Sequence, residues 1–302
     1  MERVYSASPG SSSSVCADSD SNRWLPSFFV IGPPRTGTTW LHEILKEHTL
    51  LPTFTKETRY FDTHFQRGVD WYRAHFPQPS NGRRSGEIAP TYFASADASE
   101  RIARTVPDAK VVCIFRDPVQ RLISLYKLKR AYGLIPWTFE QAMDRDPEML
   151  ESSKYASRFK AWQRALGADQ VQATLYDDLR DRSQAYLNAL VDFIGIPRFG
   201  LTESQLLRVH ASEMMTHPRS YQTTRSASTM ADWFKARRLD RFVAAVRNSP
   251  LRKLVLGGGS RFADLPSDLV LKLYEACRPE VEELEVILNC DLSAWKSPRL
   301  ER

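Results

Sequence analysis

The sequence predicts one α/β domain, a P-loop-like, doubly wound parallel sheet flanked by helices, with a helical C-terminal part. Three observations carry this. Short apolar runs alternate with stretches of helical period, and the first run, residues 28–31, enters a turn bounded by Gly32 and Gly37 that leads into a helix. In addition, 302 residues with 42% hydrophobic content are enough for one large core.

Residues 6–22 are Ser-rich and almost without apolar side chains, so residues 1–23 are expected to be a disordered tail ahead of a domain over 24–302. A basic start with an apolar core is lacking, and no apolar run approaches membrane-spanning length. A soluble, cytoplasmic protein without membrane insertion is the expectation. Residues 28–31 read as a buried strand, and the helix after the turn begins near Trp40, with Leu41, Ile44, Leu45 and His48 on the face toward the sheet. A second strand, 111–115, precedes Arg116-Asp117-Pro118, where Asp117 suits an N-cap and Pro118 the first helical position. The helix that follows carries Arg121, Ser124 and Lys127. A third buried strand, Val171–Leu175, runs through Tyr176 into a helix with Leu187, Leu190, Val191 and Ile194 on one face, stopped by Gly195-Ile196-Pro197. Residues 210–238 lack clean periodicity before Trp233 and are expected to be loop. Residues 266–288 read as a helix that Pro279 kinks or splits.

The first turn has the chemistry of an anion site. A turn entering a helix aims unpaired backbone N–H groups at one point, where the macrodipole also favours negative charge. Gly32 and Gly37 let the backbone approach a ligand, Thr36, Thr38 and Thr39 add hydroxyl donors, and Arg35 adds a charge-assisted contact. Thr38 stands where a Walker loop needs its lysine, which weighs against a P-loop kinase or nucleotidase. Arg116 lies at the carboxyl end of the second strand, where open α/β sheets bind ligands, and Ser124 projects from the next helix toward the same anion. Two anion sites then bracket one nucleotide. Trp40 reads equally as a base-stacking ring or as core.

The net charge of +6 and pI near 9.1 are modest, and the basic residues are spread along the chain, with local excess at Lys127, Lys129 and Arg130 and at Lys235, Arg237 and Arg238. This suits an anionic ligand and does not call for nucleic acid. Cys16, Cys113, Cys277 and Cys290 are scattered without metal-ligand spacing, so neither zinc nor disulfides are expected.

Together these residues resemble the sulfotransferases that use 3′-phosphoadenosine 5′-phosphosulfate (PAPS) and release adenosine 3′,5′-bisphosphate (PAP). The resemblance implies that Arg35, Thr36, Gly37, Thr38 and Thr39 hold the 5′-phosphosulfate and that Arg116 and Ser124 hold the 3′-phosphate. It places Tyr176 near the adenine. Trp40 is a further candidate cofactor contact from its place beside the loop, and with no Walker lysine and no metal-ligand cluster in the sequence no metal is expected. Arg35 stands where many members have lysine, a group thought to help the bridging oxygen leave. Lys56-Glu57-Thr58-Arg59-Tyr60-Phe61-Asp62, with Gly68, Trp71 and Tyr72 beyond, is similar to a pattern of glycan sulfotransferases, and implies Glu57 as catalytic base. Arg59 replaces the usual histidine of that pattern. Transfer to a hydroxyl needs a group to take its proton, and a carboxylate between Lys56 and Arg59 stays ionised for the task. His64 and His75 are the rival bases. The late basic loop of the family has its nearest counterparts in Arg219 and Arg225. The implied activity is sulfuryl transfer to a hydroxyl on a sugar, lipid, phenol or polyketide. A non-catalytic nucleotide- or glycan-binding protein on the same fold is the other alternative.

Overall fold

The computed structural model describes residues 25–78, 82–210, 216–236 and 258–298. The expected tail, 1–23, lies outside the described residues, as do Arg237 and Arg238. In chain order the elements are β1 (Phe28–Val30), α1 (Thr38–Leu45), α2 (Val69–Arg73), β2 (Gly86–Ile88), α3 (Ala98–Thr105) and β3 (Lys110–Phe115). There follow α4 (Pro118–Ala131), α5 (Phe139–Arg145), α6 (Pro147–Glu151), α7 (Tyr155–Leu166), β4 (Val171–Leu175), α8 (Tyr176–Asp181), α9 (Ser183–Ile194) and α10 (Glu203–His210). The described chain closes with β5 (Thr216–Pro218), α11 (Tyr221–Ala236), β6 (Gly258–Arg261) and α12 (Ser267–Leu288).

The main sheet is parallel with the order β2-β1-β3-β4, in register Phe28 to Gly86, Phe28 to Lys110 and Val111 to Val171. From β1 the chain moves outward to β2, then returns to the other side of β1 for β3. A topological switch point therefore opens between the carboxyl ends of β1 and β3. Period-two alternation sends Phe29, Ile31, Val111, Cys113 and Phe115 to one face, packed with Ile102 of α3, Trp162 of α7 and Leu284 of α12. Phe28, Val30, Val112 and Ile114 face the other layer, with Leu41 and Ile44 of α1 and Leu187 and Leu190 of α9. The expected doubly wound architecture is thus present. β4 is an edge strand, so of its residues only Val171 is fully buried.

Three expectations need correction. His48 lies beyond the end of α1 and is exposed, stacked on Phe199 with 3.5 Å between ring centroids, so it does not face the sheet. Residues 221–236 are helix rather than loop. Their contact is made by small side chains one turn apart: Thr224 is buried and Ser228 Oγ donates to the Tyr132 carbonyl at 2.7 Å, a pattern that apolar periodicity misses. Gly133 permits that approach, since a Cβ there would lie 2.8 Å from Arg225 N. Finally, Pro279 sits inside α12 without dividing it. Tyr274 and Cys277 on one side and Val281 and Leu284 on the other are buried, so packing holds both halves despite the missing N–H.

Candidate active site

The turn after β1 ends at the switch point. Gly32 is required by strand packing, because a Cβ there would fall 2.6 Å from Ile114 N. Thr36 is fully buried and its hydroxyl donates to the Pro33 carbonyl at 2.8 Å, so it closes the loop on itself. Arg35 has φ of 79°, in the left-handed region that a side chain disfavours by roughly 1–2 kcal/mol. Gly37, at φ 89°, is the N-cap of α1 and supplies no side-chain acceptor, so the first N–H groups of the helix are left for another partner.

Two arginines meet at this turn. Arg35 Nε donates to Ser124 Oγ of α4 at 2.9 Å, and Arg116 Nη1 donates to the Arg35 carbonyl at 3.2 Å. The Arg116 guanidinium lies over the Tyr176 ring, 4.7 Å from its centroid, and Arg116 is 9% exposed. Tyr176 also borders Gly37, where a Cβ would come within 3.3 Å of its ring. The structure therefore brings Arg35, Gly37, Arg116, Ser124 and Tyr176 into one cluster. Arg121 is not part of it: fully buried, it donates to Ser153 Oγ at 2.6 Å and to the Met149 carbonyl at 3.4 Å, fastening α4 to the α6 region. Trp40 is packed among the core residues of the α1 layer, with its indole N–H on the Gln205 carbonyl of α10 at 2.8 Å. Thr38 is buried, whereas Thr39 is exposed.

Thr39 receives Lys56 Nζ at 3.4 Å, and the same ammonium reaches Glu57 Oε1 at 3.2 Å. One lysine thus links the proposed base to the helix N-terminus, a reach that sequence adjacency alone did not reveal. Arg59, the residue in the histidine position, is left-handed at φ 55° and pairs with Asp62 at 3.2 Å. His64 and His75 instead pack on Trp71, at 5.4 and 4.4 Å between centroids, and His75 Nδ1 lies 2.9 Å from the Trp71 carbonyl. Burial, with Arg67 and Arg59 nearby, lowers the pKa of His64 below the ordinary histidine value.

Sequence reasoning missed Glu87, Tyr274 and the partner of Trp295. Glu87, on β2 beside Phe29 of β1, is fully buried and accepts from Thr58 N, Thr58 Oγ1 and Tyr72 OH, each at 2.7 Å, and from Tyr92 OH at 3.1 Å. Burial pushes its carboxyl up to about 7 in spite of these four donors. A lone glutamate in the otherwise apolar Gly86-Glu87-Ile88-Ala89-Pro90 run was the signal available. Tyr274 OH of α12 donates to Asp117 Oδ2 at 2.9 Å while Asp117 Oδ1 caps α4, and Trp295 Nε1 donates to Asp177 Oδ2 at 3.0 Å. Each carboxylate is the immediate neighbour of Arg116 or Tyr176.

Fold and site together are those of an α/β protein with a loop suited to anions at its switch point. The family model described as "Sulfotransferase domain" matches residues 25–239, and the chain belongs to that family. Among curated relatives, it is 30% identical over 198 residues to the bifunctional heparan sulfate N-deacetylase/N-sulfotransferase 2 of Bos taurus, covering 58% of this chain and 22% of the relative. It is 33% identical over 118 residues to the human heparan sulfate glucosamine 3-O-sulfotransferase 6, covering 39% and 34%. The chain's matches thus span about a fifth to a third of the length of these relatives. Among solved structures, a sulfotransferase from Alicyclobacillus acidocaldarius superposes with a TM-score of 0.64 at 19% identity, over 90% of this chain and 99% of that one.

Proposed function

We propose that the chain transfers a sulfuryl group from PAPS to a hydroxyl acceptor by in-line displacement. The observation that carries this is the convergence of Arg35 and Arg116, from two neighbouring strand ends, on one turn that also holds an uncapped helix N-terminus. Two guanidinium groups, a serine hydroxyl and free N–H groups are the donor set of a ligand with two separate anionic ends, and PAPS has its phosphates at the 3′ and 5′ positions. When bound, PAPS supplies sulfur bonded to a phosphate leaving group. Arg116 and Ser124 hold the 3′-phosphate, and Tyr176 lies beside the nucleoside. Arg35, Lys56 and the N-terminal N–H groups of α1 stabilise charge on the sulfuryl and on the departing bridging oxygen. Glu57 takes the acceptor's proton as its oxygen bonds to sulfur, the sulfur–oxygen bond to phosphate breaks, and the electron pair leaves with PAP. The half-exposed Glu57 side chain, 24% accessible, leaves room for an acceptor. Relatives named for heparan sulfate chemistry favour a sugar acceptor.

Thermal shift with PAP, AMP and ATP tests the donor site, and a screen of acceptors with labelled PAPS, read by mass spectrometry, tests transfer. PAP should stabilise the fold far more than the other two. Equal shifts would sink the two-phosphate assignment. Glu57→Gln should cost about 10²–10⁴-fold in turnover with unchanged PAP affinity. Near-normal turnover beside an inactive His64→Ala or His75→Ala would move the base to that histidine.

A further inference from the structure

Resting on the reading of Glu57 as base, we propose that Glu87 is a positioning residue that anchors the Glu57 segment to the sheet and so aims the Glu57 carboxylate at the acceptor. Glu87 lies on β2, and its four donors come from three separate places: Thr58 in the segment after Glu57, Tyr72 on α2, and Tyr92 in the turn after β2. Both Thr58 donors, the backbone N–H and the hydroxyl, fall on the same oxygen, Oε1, at 2.7 Å. Two bonds to one atom fix the orientation of the peptide that joins Glu57 to Thr58. Thr58 is 3% exposed, while the Glu57 side chain is 24% exposed, so the inward grip on one residue turns its neighbour outward. The left-handed Arg59 then bends the chain away, and Tyr60 N donates back to Thr58 Oγ1 at 3.2 Å.

A structural carboxylate here has a cost that an apolar residue would avoid. Its strand neighbours Phe28, Phe29, Val30 and Ile88 are fully buried hydrophobics, and burial disfavours the charged form of Glu87. What the carboxylate adds is four acceptor positions that gather three chain segments at the edge of the site. Tyr92 OH extends the same network, lying 3.2 Å from Thr58 Oγ1 and accepting from Phe61 N at 3.4 Å. A base displaced by about 1 Å loses on the order of 10² in rate. The four hydrogen bonds of Glu87 go to Thr58, Tyr72 and Tyr92, so its effect should fall on chemistry and spare nucleotide binding.

The test uses the full chain, PAPS and the acceptor found by the screen, with PAP affinity measured by calorimetry. Glu87→Gln and Thr58→Val should each lower kcat by about 10–100-fold with PAP Kd unchanged, and Thr58→Ser, which keeps the hydroxyl, should recover most of the Thr58→Val loss. In the Glu57→Gln background, Glu87→Gln should cost nothing further, because the group it positions is gone. An undiminished kcat for Glu87→Gln, an equal loss in the Glu57→Gln background, or a parallel loss of PAP affinity would each overturn the proposal. Should Glu87→Gln fail to fold, the Thr58→Val and Thr58→Ser pair decides by the same criteria. Full turnover by Glu57→Gln would remove the base and this inference together. An inactive Glu57→Gln beside unimpaired Glu87→Gln and Thr58→Val would reject only the positioning role.

Discussion

Glu87 should give the stability of this fold a pH dependence of its own. Burial raises its carboxyl from 4.5 to about 7. An acid whose pKa is higher folded than unfolded takes up a proton on folding between those two values. Its contribution is therefore complete below about pH 4.5 and is lost as pH rises through about 7. The interval of 7 minus 4.5 pH units, at about 1.36 kcal/mol each, amounts to about 3 kcal/mol. Its hydroxyl partners stay protonated throughout, since burial pushes Tyr72 and Tyr92 well above the ordinary tyrosine value. Tyr60 acts on Tyr72 and is itself raised, and Asp62 acts on Tyr92. Urea unfolding of the wild type and of Glu87→Gln, between about pH 4 and pH 8, isolates the effect. Subtraction cancels shared titrations, among them those of His42, His64 and His217, which burial holds below the ordinary histidine value. The wild type should lose about 3 kcal/mol relative to the variant across the window. At about 2 °C per kcal/mol for a domain of this size, the melting temperatures should diverge by roughly 6 °C. Parallel curves, or divergence in the opposite sense, would refute the reasoning.

Three further outcomes follow from the anion site. Arg116→Ala should weaken PAP binding by about 10–100-fold in calorimetry and leave the weaker response to AMP nearly intact, since charge-assisted hydrogen bonds are each worth about 1.5–3 kcal/mol; equal losses for both ligands would contradict a 3′-phosphate role. Gly37→Ala should lower the melting temperature and PAP affinity together, because φ of 89° costs a side chain about 1–2 kcal/mol and the new Cβ would sit 3.1 Å from Leu179 Cδ1. Unchanged melting would mean that the turn relaxes freely. Transfer should persist in EDTA, as Arg35, Lys56 and the helix N–H groups supply the positive charge, whereas a strict magnesium requirement would restore the nucleotidase reading.

The parts of the molecule legible in the sequence are those where chemistry is local. β1, the turn from Gly32 to Gly37 and α1 are contiguous, and so are β3, Arg116 and the Asp117 cap of α4. Apolar runs, glycines and caps announce such units within a dozen residues. Glu87 was invisible for the opposite reason, since its meaning depends on donors at positions 58, 72 and 92. The helix Tyr221–Ala236 escaped notice because its contact with the Tyr132–Gly133 turn comes from the small polar residues Thr224 and Ser228, which leave no apolar period. Arg121 and Arg116 are both buried, and only their partners, Ser153 and Met149 for one and the Arg35 carbonyl for the other, separate a packing arginine from one at the site.

The two hydrogen bonds from the C-terminal part, Tyr274 to Asp117 and Trp295 to Asp177, bear on how the protein is made. They span 157 and 118 positions, and both partners lie beyond residue 239, where the family match stops. On a ribosome, β1, β3 and their arginines emerge long before either hydroxyl or indole is available, so Asp117 and Asp177 remain without these partners through much of translation. Contacts at such separation form late because loop-closure entropy precedes any gain from them. The surroundings of Asp117 and Asp177, the neighbours of Arg116 and Tyr176, are accordingly completed only after synthesis has passed Trp295.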